Sequence, residues 1–116
     1  MEDLLISTLQ GICENVFLQG SMLPDQPYPA NFFTFWNFAS KEEAHYDNTE
    51  HATIWEYDVN FYSSNPGEVY EKLRSAVKAL KKNGFIITDG EHAVASDEST
   101  HDGRGISVVY IGRSKK

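Results

Sequence analysis

Residues 65–84 constrain this chain more than any other segment, because they spell out a helix with both of its ends. Asn65 can cap it by accepting a hydrogen bond from an orphan backbone N–H. Pro66 suits the first helical position, where its missing donor is not needed, and Glu68 lies near the positive end of the helix dipole. Val69, Tyr70, Leu73, Ala76, Val77 and Leu80 then recur at helical spacing and form one apolar stripe. Lys78, Lys81 and Lys82 gather at the negative end, and Gly84 supplies a residue that tolerates a left-handed stop. Burial of Val69, Leu73, Val77 and Leu80 at roughly 1.5–3 kcal/mol each, before conformational entropy is subtracted, requires a second layer for the helix to dock on.

The flanking segments predict that layer to be a sheet. Thr53–Tyr62 alternates, with Trp55, Tyr57, Val59 and Phe61 on one side and Glu56, Asp58 and Asn60 on the other. Asn31–Phe38 places Phe33 and Phe35 on one parity and Phe32, Trp36 and Phe38 on the other, a strand apolar on both faces. Residues 85–90 and 106–111 give two further strands, and 15–19 a short one. Residues 2–13 predict a first helix presenting Leu5, Leu9 and Ile12, weakened at its end by Gly11. Three prolines make 20–29 a loop, and residues 40–51 and 91–105 are polar enough to predict long exposed loops. The expected fold is α+β: two helices packed on one face of a largely antiparallel (mixed) sheet, in a single domain over the 116 residues.

Seventeen acidic against ten basic residues give a formal charge of -7, which opposes non-specific contact with phosphates and argues against nucleic-acid recognition. The basic end Arg113-Ser114-Lys115-Lys116 reads as a solvated terminus. The N-terminus shows neither a leader pattern nor a long apolar run, so a cytosolic site of synthesis and no membrane association are expected. Cys13, the only cysteine, falls on the apolar stripe of the first helix and reads as a buried small hydrophobe rather than a nucleophile.

No constellation specifies chemistry. His92, Asp97, Glu98, His101 and Asp102 cluster in sequence, as do His45, Asp47, Glu50 and His51, but neither group has a tight metal-ligand spacing. The serines lack a nucleophile-elbow frame, and the glycines at 84, 90, 103, 105 and 112 read as helix stop and turn punctuation instead of a phosphate cradle. Catalytic, cofactor and metal residues are therefore expected to be absent. The surplus of aromatic residues between 28 and 70 points to a protein partner. The candidate interface residues are Phe32 and Trp36 on the second apolar parity, Glu42 and Glu43 on the polar loop, and Glu56 and Asp58 on the polar side of the alternating strand.

The assembled pattern resembles the tail-completion, or tail-terminator, proteins of long-tailed bacteriophages, often encoded in prophages. The likeness lies in the N-terminal amphipathic helix, the passage Leu23-Pro24-Asp25-Gln26-Pro27-Tyr28-Pro29, the aromatic strand Trp55-Glu56-Tyr57-Asp58-Val59-Asn60-Phe61-Tyr62, the helix through Val69, Leu73 and Leu80, and the end Gly103-Arg104-Gly105-Ile106-Ser107-Val108-Val109-Tyr110-Ile111. The resemblance implies a sheet carrying two helices, a homohexameric ring that ends tail growth, and head-tail joining through the tail tube and head-connector proteins. It also implies a place in the virion tail after assembly in the bacterial host cytoplasm. The competing reading is a small-molecule-binding or enzymatic α+β domain whose aromatic strand lines a pocket.

Overall fold

The computed structural model describes residues 2–19, 29–42, 50–96 and 100–115. They form α1 (Glu2–Gln10), β1 (Val16–Leu18), β2 (Asn31–Glu42), β3 (Glu50–Ser63), α2 (Pro66–Lys82), β4 (Ile86–Val94) and β5 (Asp102–Lys115). The sheet runs β1-β2-β3-β5-β4, with β1 parallel to β2 and every other pair antiparallel. This is the expected α+β architecture, with both helices on one face.

The capped helix forms as its sequence dictates. The Asn65 side chain accepts from the Gly67 N–H at 3.0 Å, and Pro66 opens the helix. The Asn65 N–H donates to Ser63 Oγ at 3.0 Å, and Ser63 in turn donates to the Asn31 side chain, so the helix start is tied to the first residue of β2. At the other end Gly84 takes φ +95°, the Gly84 N–H reaches the Lys81 carbonyl at 3.2 Å and the Phe85 N–H reaches the Leu80 carbonyl at 2.9 Å. That is a Schellman stop, with Phe85 packing beside Leu80 in the core.

Leu5, Leu9, Leu73, Ala76 and Leu80 from the helices meet Phe33, Phe35, Tyr57, Val59, Phe61, Ile106 and Val108 from β2, β3 and β5 in one core. Of the predicted stripe, Tyr70 stays exposed and supports the Arg104 guanidinium, 4.9 Å from its ring centre. α1 stops at Gln10, before Gly11, so Cys13 lies beyond the helix; it is partly buried, and its Sγ is 3.5 Å from the Asn31 carbonyl.

The strands are longer than their apolar runs. Residues 40–42 belong to β2 and 50–51 to β3, while 91–94 and 102–105 extend β4 and β5, so the two expected long loops shrink from both sides. Residues 113–115, expected as a solvated end, pair with β3, Lys115 opposite Glu50. At about 3.3 Å per residue the 14-residue β3 spans roughly 46 Å, whereas the 17 residues of α2 span about 25 Å at 1.5 Å each. The sheet therefore outruns the helical layer, which accounts for a longest dimension of 53 Å against 27 and 22 Å for the others.

The glycines of β5 are strand residues, not turn punctuation. A Cβ at Gly103 would sit 2.6 Å from the Tyr62 ring, and one at Gly112 would sit 2.6 Å from the Trp55 ring. Each glycine leaves room for an aromatic side chain of β3 to lie across the neighbouring strand.

Candidate assembly interface

The face of the sheet away from the helices divides into a covered and an exposed part. Even-numbered residues of β2 point there as far as Trp36. Asn37 pairs with Tyr57 and Ala39 with Glu56, so Phe38 is the extra residue of a bulge and the parity changes beyond it. The even-numbered alternation that groups Phe32 with Trp36 is therefore shown only up to this bulge.

Phe32 is only 2% exposed, so it does not belong to the exposed patch. Its ring stacks on Tyr62 at 5.1 Å, with Phe17 edge-on at 6.1 Å and His101 at 5.9 Å. Side chains of β1, β3 and the segment before β5 cover it. Thr34 and Asn60 beside it are nearly buried as well.

Trp36 is different. It is 48% exposed and stands opposite Asp58, which accepts from Ser107 Oγ at 2.8 Å. In the next row Glu56 pairs with Val109, and Val109 with Ile86, itself 50% exposed; beyond them Ile54 faces Ile111. Exposed apolar side chains of β2, β4 and β5 thus frame two carboxylates on β3. An apolar patch with embedded charge, spread over four adjacent strands, is the surface a protein partner covers.

Glu42 closes β2 opposite Thr53, and Glu43 lies outside the described residues. The structure therefore brings Trp36, Glu56 and Asp58 together, and adds Ile86, Val109 and Ile111, which the sequence reading missed. Their signal was present as apolar residues on both parities of 106–111 and the consecutive pair Ile86-Ile87.

The titratable clusters separate. His92 Nδ1 lies 3.1 Å from the Gly90 carbonyl and 3.7 Å from the Asp89 carboxylate. His101 Nε2 lies 2.8 Å from the Pro29 carbonyl, which makes that nitrogen the donor, while Nδ1 meets Thr100 Oγ1 at 3.0 Å. Among the described residues no group of three or more His, Cys, Asp and Glu converges as a metal site. His45, Asp47, Asp97 and Glu98 lie outside the described residues. Among those described, no helix is long and apolar enough to cross a membrane.

A second surface lies on the helical side of the sheet, at its β4 edge. Between α2 and β4 runs a groove of about 470 Å³ with a floor of Val77, Ile87 and Ile106 and a rim of Arg74, Lys78 and Lys81, with Gly90 and Glu91 on its far wall. Five of the ten basic residues, Lys72, Arg74, Lys78, Lys81 and Lys82, lie on α2, whose only acids are Glu68 and Glu71 in its first half. Among the described residues the ion pair at the rim is a loose one, Arg74 Nε to the Glu91 carboxylate at 3.9 Å, with the Arg74 side chain largely in solvent.

No family model matches the chain, and no curated protein matches it. Among solved structures, a chain from the virion of a native gene transfer agent (GTA) particle aligns with a TM-score of 0.49 at 13% identity, over 93% of this chain and 84% of that one. The likeness is too distant to carry a role across.

Proposed function

We propose that this chain is a structural, non-catalytic subunit of a phage-like particle: a tail-completion, or tail-terminator, protein that forms a homo-oligomeric ring at the head-proximal end of the tail and joins it to the head connector. The observation that carries the reading is the exposed patch of Trp36, Ile86 and Ile111 around Glu56 and Asp58, on the face the helices leave uncovered. Such a patch is costly to leave in water, and the two carboxylates within it give a partner's cations a fixed place to pair. The resemblance to tail terminators runs through the same strand, Trp55–Tyr62, and supplies the ring, its six copies and its tail-tube and connector partners. A net charge of -7 suits a particle component beside a DNA passage, because it repels phosphates. The protein then works in the virion tail after assembly in the host cytoplasm, without cofactor or metal.

Electron microscopy of lysates from a strain lacking the gene tests the role. Filled heads separate from tails, with tails of uncontrolled length, are expected. Complementation with Glu42→Lys/Glu43→Lys should supply a folded protein that joins poorly, since charge at a rim governs association more than folding. Normal joined virions in the deletion strain would overturn the assignment and turn attention to the small-molecule reading.

A further inference from the structure

We propose that the occupant of the groove between α2 and β4 is Trp36 of a second copy of this chain, so that the two surfaces form one head-to-tail contact. The inference rests on the reading of the chain as an assembly subunit and names the two faces that join. Trp36 is a half-exposed knob with Asp58 directly across the ladder and Glu56 in the adjacent row. The groove offers the counterpart, an apolar floor of Val77, Ile87 and Ile106 beneath the cations Arg74, Lys78 and Lys81.

The two surfaces cannot satisfy each other within one molecule, because one lies on the helix-free face of the sheet and the other on the helical side of its β4 edge. A symmetric pairing of the Trp36 patch with itself would set Glu56 and Asp58 against their own copies. A knob complementary to a pocket elsewhere on the same molecule instead generates a heterologous contact, which closes into a ring or continues as a filament according to the rotation between copies. Apolar insertion supplies the affinity, and the acid-on-cation rim supplies register and rejects the symmetric alternative.

The test uses the purified full chain. Equal amounts of 15N-labelled and unlabelled protein are mixed and treated with a zero-length carbodiimide, and mass spectrometry separates cross-links between copies from those within one. Mixed-isotope links from Lys78 or Lys81 to Glu56 or Asp58 are expected. Sedimentation velocity over a concentration series should show self-association that weakens by at least about tenfold in Trp36→Ala, as for an interface anchor. Lys78→Glu/Lys81→Glu should weaken it comparably, and adding Glu56→Lys to that double variant should restore part of the loss. If Trp36→Ala fails to fold, the charge variants, all at solvent-accessible positions, decide alone.

Absence of the mixed-isotope links, or variants that associate like the wild type, would overturn the contact. A wild-type chain that stays monomeric throughout would overturn it too. If the deletion strain nevertheless yields unjoined heads and tails, only the contact falls and the virion role stands.

Discussion

Gly105 stands directly across the β3–β5 ladder from Asn60, and the Asn60 side-chain oxygen occupies the space that a Cβ at position 105 would need. Asn60 is only 8% exposed, so its amide has little room to swing aside. Gly105→Ala is expected to destabilise the fold by about 1–3 kcal/mol through overpacking. Adding Asn60→Ala should return much of that loss, giving a coupling of roughly 0.5–3 kcal/mol in a denaturant double-mutant cycle. Simple additivity of the two changes would show that the pair does not compete for the same space.

Leu73 is fully buried at the centre of the α2 stripe, among Leu5, Leu9 and the aromatic residues of β2 and β3. Leu73→Ala should cost about 2–5 kcal/mol, the range for a buried leucine that leaves a cavity. Asn65→Ala, which removes the oxygen that receives the Gly67 N–H at 3.0 Å, should cost about 1 kcal/mol. Urea midpoints at an unchanged m-value measure both. A Leu73→Ala loss smaller than that of Asn65→Ala would contradict the packing described here.

Tyr57 is fully buried, and its hydroxyl has no hydrogen-bond partner among the described residues. Burial, with a smaller contribution from the Glu2 carboxylate, pushes its pKa from 10.0 up to about 12. The unfolded tyrosine therefore ionises first. The stabilisation from keeping Tyr57 neutral is complete below pH 10.0 and is lost as pH rises towards about 12. Tyr57→Phe should be neutral or stabilising by up to about 1 kcal/mol at pH 7, because it removes an unpaired buried hydroxyl. It should also flatten the fall in melting temperature above pH 10.0. An alkaline profile identical to wild type would assign that fall to other tyrosines.

His92 and His101 hold separate backbone partners, so stability is expected to be independent of divalent metal. Treatment with a chelator should leave the melting temperature and the sedimentation profile unchanged. A drop reversed by zinc would reveal a metal-dependent structure.

Local chemistry made α2 legible from end to end, because caps, dipole and glycine stop act within one turn of the residues that carry them, and Asn65, Pro66 and Gly84 all occupy the roles their types suggest. The alternation in β3 likewise put Tyr57, Val59 and Phe61 in the core and Glu56 and Asp58 opposite them. Strand length was not legible, because the mostly polar or glycine-bearing ends at 40–42, 91–94 and 102–105 join the strands through backbone groups that every residue type carries.

What the sequence determined by itself is the set of elements and the side of each that is apolar. Only the tertiary structure decided what those sides meet. The sheet order β1-β2-β3-β5-β4 covers Phe32 and leaves Trp36 exposed, although both are large rings on the same parity of β2. It sets Gly103 and Gly112 under aromatic rings of β3, and it opens a groove between α2 and an edge strand that follows it in sequence. The reason is physical: a cap or a period acts between neighbours along the chain, whereas exposure depends on which distant strand supplies the adjoining side chains, and that is settled by pairing the whole sheet at once.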